Sequence, residues 1–230
     1  MKVKSQLIIE LLKKSQNNIN ISIKILAESM NLSINRIKEL LEELRMEKLI
    51  EILQIQNETY CKPLNRIQLA YKAIQLGANI KHIALALTWR EFEEICAQAF
   101  MVNEYEIHRN FRFKVWRKYY EIDVIGIKKP YVICVDCKRW SAGRFSIIHK
   151  HAEQHYSRIK ELSRNRDALR RLRISSWNKI IFIPVILTVH EDKVSIYNGI
   201  PIVPVFKFNS FLNELPLGLD LIKKIEVKQS

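Results

Sequence analysis

The spacing of apolar residues changes period several times along the chain. Over residues 5–14, Leu7, Ile8, Leu11 and Leu12 recur at helical spacing. After the polar break QNNIN, a second helix over 22–32 turns Ile25, Leu26 and Met30 inward. Asn31-Leu32-Ser33 forms a turn, and Ser33 is placed to cap a third helix that keeps Ile34, Ile37, Leu41 and Leu44 on one face and ends near Lys48. The stretch 49–64 then reads as two short strands around Gln56-Asn57-Glu58, a small hairpin. Residues 65–76 return to an amphipathic helix stopped by Gly77. Thr88-Trp89-Arg90-Glu91 fits a capping box that opens a helix to about Met101, burying Trp89, Phe92, Cys96, Ala99 and Phe100.

The next segment, EIDVIGIKKPYVICVDCK at 121–138, joins two apolar runs through a Lys-Lys-Pro turn. In an extended strand Asp136 and Lys138 project together, and Asp123 on the neighbouring run would lie beside them. Two carboxylates and an ammonium in apolar strands are costly to bury. Such groups mark a metal or functional site more often than a structural ion pair at a strand end, because like charges repel without a cation between them. Beyond the hairpin, His149–Leu162 is a basic helix, 164–173 continues basic, KIIFIPVIL is a buried strand, 194–197 and 200–206 are short strands about Asn198-Gly199, and 208–215 closes as a helix. The expected class is α/β, a mixed sheet flanked by helices, preceded by a domain of helices plus a hairpin. The expected boundaries are 1–62, a helical connector at 63–88, and 89–230.

Composition sharpens this picture. The 230 residues are 48% hydrophobic, ordinary for a globular protein, and carry a net charge of +14. Between Lys138 and Arg173 stand 11 Lys/Arg and 3 Asp/Glu, so +8 of that charge lies in one segment beginning at the acidic cluster. A polyanion is the first partner to consider. Cys61, Cys96, Cys134 and Cys137 lack the second pair a four-thiolate zinc site needs, and Cys134 and Cys137 on a strand point to opposite faces, against a redox pair. The N-terminus lacks a signal-peptide cleavage site and the longest apolar run, Ile180–Val189, is too short to span a bilayer, so a cytoplasmic protein is expected. High Ile, Lys and Glu with 5 Gly and 6 Pro is a composition met in thermophiles, and is archaeal-like.

Three helices and a hairpin in this order resemble the winged helix-turn-helix. That resemblance implies that the third helix enters the major groove by its start, where Ser33, Asn35, Arg36 and Lys38 face outward. Glu39, Glu42, Glu43 and Glu47 would keep its second half away from phosphate. The alternative is a module for dimerisation or protein contact.

From Trp89 onward, FEE at 92–94, EID at 121–123 and the D-x-K within VDCK at 135–138 occur in an order that resembles the PD-(D/E)XK nuclease superfamily, and within it Mrr-type restriction endonucleases and archaeal Holliday junction resolvases. The resemblance implies a restriction-endonuclease-like mixed sheet, Mg²⁺ (or Mn²⁺) held by Asp123 and Asp136, a catalytic Lys138, and Glu93 as the helix carboxylate in preference to Glu94. Ile122 stands where the superfamily name has proline, and Asn103-Glu104-Tyr105 where many relatives have a glycine turn. Mg²⁺ prefers hard oxygen ligands and keeps several waters, so two or three carboxylates suffice to hold it against a phosphodiester. Arg139, Arg144, Lys150, Gln154, Arg158, Arg164, Arg166 and Arg170 are the expected DNA contacts beyond the site, their phosphate contacts salt-sensitive. His149, His151 and His155 fall on the same helix without a second ligand pair. The expected function is a Mg²⁺-dependent DNA endonuclease, as a homodimer and with no membrane. The alternatives are a DNA-binding regulator or scaffold that does not cut, and a junction resolvase, which would need a two-fold dimer.

Overall fold

A computed structural model of the chain describes residues 2–16, 19–138, 145–189 and 194–228, without the side chains of 145–148. Arg139 and Arg144, two of the expected DNA contacts, lie outside the described residues. The chain divides into two units, Met1–Glu91 and Phe92–Ser230.

In the first unit, α1 (Lys2–Lys14) buries the predicted face Leu7, Ile8, Leu11 and Leu12. It is followed by β1 (Ile21–Ser22), α2 (Ile23–Met30), α3 (Ile34–Met46), β2 (Ile50–Ile55) and β3 (Glu58–Pro63). The strands form one antiparallel sheet in the order β1-β3-β2. The two-residue β1 was not legible as a strand; it pairs Ile21 with Cys61 and Ser22 with Tyr60, adding a third strand to the small antiparallel sheet. Ser33 caps α3, its Oγ accepting the Arg36 N–H at 3.2 Å. The hairpin turn is the pair Gln56-Asn57, both at positive φ (47° and 63°), as a tight two-residue turn requires. Two expected core positions are corrected. Ile25 on α2 and Ile34, the first residue of α3, are exposed; α2 buries Ile23 and Ala27 beside Leu26, and α3 buries Leu40 beside Ile37, Leu41 and Leu44.

The stretch expected as a connector supplies α4 (Arg66–Gln75) and α5 (Ile80–Ala86), both within the first unit. Arg66 fastens them: its guanidinium donates to the carbonyls of Leu12 (2.6 Å) and Ala86 (2.9 Å) and to Ser15 Oγ, and pairs with Glu91 at 2.6 Å. The capping box forms, with Thr88 N–H donating to Glu91 Oε2 at 2.6 Å and Glu91 N–H to Thr88 Oγ1 at 3.3 Å. It opens α6 (Trp89–Val102), and Trp89, expected in the core, is exposed in its first turn.

The second unit is built on a mixed sheet. β4 (Glu106–Val115), β5 (Lys118–Lys128) and β6 (Tyr131–Lys138) are an antiparallel meander, and β7 (Lys179–Thr188) runs parallel to β6. β9 (Ile200–Pro204) is parallel to the end of β7, β8 (Ser195–Tyr197) is antiparallel to β9, and β10 (Ile225–Lys228) pairs with the start of β7. The order is β4-β5-β6-β7-β9-β8, with β10 off the path. Buried along most of their length, β6 and β7 are largely apolar rather than alternating, with Asp136 the charged exception inside β6. Ile125, Ile127, Val132, Cys134 and Phe182 pack with Ile159 and Leu162 of α7 (Phe145–Arg164), and with Leu169 of α8 (Arg166–Arg171). At Gly126 a Cβ would stand 2.2 Å from the Phe100 ring, so the missing side chain is what lets α6 lie against β5. α9 (Phe208–Gly218) continues through Pro216 past its expected end. Among the described residues no helix is long and apolar enough to cross a membrane.

Candidate active site

The ladder between β5 and β6 runs from Lys128↔Tyr131 to Val124↔Val135. One step further the register would set Asp123 opposite Asp136. The ladder gives way there: the Cys137 N–H donates to Asp123 Oδ2 at 2.7 Å, a side-chain acceptor in place of a strand carbonyl. On the far side of β6, register sets Lys138 beside Thr188 of β7. Thus the expected pair of acids and the lysine do converge at the C-terminal end of β6.

Their electrostatics differ. Asp136 is fully buried. Lys138 Nζ lies 3.0 Å from its Oδ2 and Arg158 Nη2 3.1 Å from its Oδ1. Burial alone would raise its pKa, but the positive charge of His155, Lys138 and Arg158 outweighs burial and holds the carboxyl below its ordinary value. His155 is itself pushed down to about 4 by burial, so near neutral pH the two long cations carry that effect. Asp123 goes the other way. Burial first, then the Asp136 charge, push it up to about 6, against the Cys137 amide and Lys138, with Glu93 adding to the rise. A pair of carboxyls driven apart in this way is the pattern of a functional site.

Glu93 of α6 is buried and close enough to Asp123 to affect its charge. Glu94 points elsewhere, accepting from Arg109 at 2.7 Å and Gln98 at 3.1 Å. Of the two helix acids, Glu93 is the one whose charge bears on Asp123.

Arg158, expected on DNA phosphate, turns inward. Besides Asp136 it reaches the Glu121 carbonyl at 2.9 Å, bracing α7 against β5. His155, also fully buried, bonds the Cys134 carbonyl through Nε2 at 2.8 Å, which makes that nitrogen the donor and leaves Nδ1 without a partner among the described residues. His151, its pKa lowered by burial and then by the Lys138 charge, stands on the same stripe of α7, since 151, 155 and 158 are spaced i, i+4, i+7. That stripe is the signal in the sequence that could have assigned Arg158 to the site. His149 instead stacks on the Tyr197 ring, centroids 3.5 Å apart, so the three histidines do not form a metal site. The thiols of Cys134 and Cys137 are buried and their pKa values raised, Cys134 by burial and Cys137 first by its bond with Cys96 and then by burial. Neither is placed for redox work.

Among the described residues no three His, Cys, Asp or Glu side chains gather as a ready-made cation cage. Both oxygens of Asp136 nevertheless lack a hydrogen-bond partner of good geometry among the described residues, although two cations stand at 3.0 and 3.1 Å. Charge is balanced while lone pairs stay available, which suits a hard cation completing its shell with water and substrate oxygens.

Of the other expected contacts, Lys150, Gln154, Arg164 and Arg166 are exposed on α7 and α8, and Arg170 is loosely paired with Asp167 at 3.5 Å. On α3, Asn35 and Lys38 are exposed and Arg36 pairs with Glu39 at 2.7 Å. Glu43 and Glu47 are drawn to Lys4 at 2.9 and 3.0 Å, which lessens the acidity of that helix face.

Residues 88–189 match the family model of a nuclease-related domain. The matched span holds Glu93, Asp123, Asp136, Lys138 and Arg158. An uncharacterized protein of Archaeoglobus fulgidus is 30% identical over 131 residues, 56% of this chain and 92% of that protein. Among solved structures, a protein of unknown function aligns at 15% identity and a TM-score of 0.28, over 53% of this chain and 54% of that one. A Vibrio cholerae protein aligns at 11% identity and a TM-score of 0.38, over 95% of this chain and 51% of that one. The chain thus spans about half the length of each of these two structures.

Proposed function

With residues 88–189 forming a nuclease-related domain, in a chain that belongs to the same family as the Archaeoglobus fulgidus protein, we propose that this protein is a Mg²⁺- or Mn²⁺-dependent DNA endonuclease. The observation that carries the reading is the convergence of Asp123, Asp136 and Lys138 at the end of β6, with like charges kept together in a buried place where a fold alone has no use for them. Asp123 and Asp136 would hold the ion, with Glu93 beside them. When bound, it supplies positive charge to the scissile phosphate and a more acidic water. Lys138 Nζ, 3.0 Å from Asp136, would donate to a phosphate oxygen and orient the attacking water. Arg158 keeps Asp136 aligned from behind by holding the Glu121 carbonyl as well. His155 fixes the backbone of β6 at Cys134. Asp123 must lose its proton before it can ligate, so cutting should rise as pH passes about 6. The winged-helix unit would position the duplex through the start of α3, where the Arg36–Glu39 pair is exposed and cheap to exchange for phosphate.

The test is to incubate supercoiled plasmid and a labelled four-way junction with the protein in Mg²⁺, in Mn²⁺, in EDTA, and as Asp136→Asn. Metal-dependent cutting lost in the variant is the expected result, and the substrate preferred separates a restriction-like enzyme from a resolvase. Tight binding with no cutting under either ion would sink the proposal in favour of a binding protein. A species that stays monomeric on the junction would remove the resolvase.

A further inference from the structure

The β4–β5 hairpin ends in a two-residue loop, Trp116-Arg117, between the paired residues Val115 and Lys118. Trp116 is 93% exposed, and its φ is 55°, in the left-handed region where a turn of this length ordinarily uses glycine or asparagine. A large ring at that position costs the backbone and returns no packing to the fold. A single exposed aromatic is commonplace on protein surfaces. What sets this one apart is its company. From Lys114 to Tyr120 the chain carries three cations and no acid, and Tyr119 is 71% exposed. Lys114 Nζ lies 5.2 Å from the Tyr119 ring centroid and Lys118 Nζ 4.9 Å from that of Tyr120.

The tip is also held in place. Asn165 Nδ2 donates to the Lys114 carbonyl at 2.9 Å and Arg171 Nη1 to the Arg112 carbonyl at 2.8 Å, tying the hairpin to the start and end of α8. A groove of about 510 Å³ between α7, α8 and β10 is lined by Ser163, Arg164, Arg166, Arg170 and Lys228 among others. Among the described residues none of Arg164, Arg166 and Lys228 is paired with a carboxylate, while Arg170 reaches Asp167 only at 3.5 Å. Flat exposed rings on a cationic tip, tied to a helix that carries arginines, supply the two parts of a surface for single-stranded nucleic acid, the rings taking base faces and the cations the backbone.

We propose that the β4–β5 tip is a base-stacking surface for unpaired nucleotides, with Trp116 as the principal ring, Tyr119 beside it, and the α8 arginines on the adjoining phosphates. It rests on nucleic acid being the substrate and adds to that reading a preference for strands that are single or opened. A double helix hides its base faces and offers such a ring only phosphate and groove edges.

Fluorescence anisotropy in EDTA would measure binding of a labelled oligothymidine and of a duplex of equal length. Trp116→Ala should weaken the single strand about tenfold, with the duplex changed by less than about twofold, and Trp116→Tyr should recover most of the loss. Trp116→Gly removes both the ring and the unfavourable φ. It should lose the same affinity with a melting temperature equal to or above that of the parent, which separates stacking from damage to the fold. Unchanged affinity of the alanine and glycine variants, in a protein that still binds and cuts DNA, would overturn this inference and leave the nuclease intact. Affinity for anionic vesicles in place of oligonucleotides would overturn it as well. Failure of the parent protein to bind any nucleic acid would overturn the functional reading beneath it.

Discussion

Replacing Asp123 by asparagine should make the protein more stable at neutral pH while abolishing its activity. Its carboxyl is raised from 3.8 to about 6, so the folded state holds this proton where the unfolded chain releases it. The associated stability is fully present below pH 3.8 and is lost as pH rises through about 6, because ν_N exceeds ν_U across that window. At about 1.4 kcal/mol per tenfold in the ionisation constant, the ionised carboxylate costs the fold about 3 kcal/mol above pH 6, an upper figure given the solvent that still reaches the side chain. Asparagine keeps an oxygen to accept the Cys137 N–H and removes the charge that Asp136 and Glu93 oppose. Urea unfolding followed by circular dichroism and Trp fluorescence should therefore show a gain of up to about 3 kcal/mol at pH 8 and almost none at pH 4, with a melting shift on the order of 6 to 12 °C at the higher pH. Added Mg²⁺ should stabilise the parent more than the variant. A variant less stable than the parent at pH 8, or equally stabilised at both pH values, would refute the view that these carboxylates are held together against their mutual repulsion.

Two further substitutions probe the site and its support. Glu93→Gln should abolish metal-dependent cutting, whereas Glu94→Gln should keep it and lose under about 1 kcal/mol with the exposed Arg109 pair, as plasmid cleavage and urea unfolding would show; equal loss of activity in both would reassign the helix acid. Gly126→Ala, whose Cβ would meet the Phe100 ring at 2.2 to 2.6 Å, should cost about 1 to 3 kcal/mol, and a Phe100→Leu background should recover part of that in thermal unfolding.

Much of this protein could be read one residue at a time. Ser33 and the Thr88–Glu91 box cap helices because short polar side chains meet free amides wherever they precede a helical period. The acids on β5 and β6 were legible for the same kind of reason: a charge in an apolar run stands out, and period two fixes its face. Glu93 was separable from Glu94 only after folding, when α6 had turned one toward Asp123 and the other toward Arg109.

Contacts between distant segments were the part that spacing could not supply. The β1 strand is two residues long and exists only because β3 offers it an edge, and β10 exists because the first half of β7 has an unpaired side. Arg158 looked like one more member of a basic helix until Asp136 and the Glu121 carbonyl were brought to it from 22 and 37 positions away. Trp116 carried no signal in the sequence, and only the turn sets it at positive φ in solvent. The sequence alone determined the main helices, the central strands and which acids are out of place in them, because those follow from local periodicity and the cost of burying charge. Tertiary structure decided which cation neutralises which acid and which ring is left exposed, because those depend on distances that the chain settles only by closing on itself.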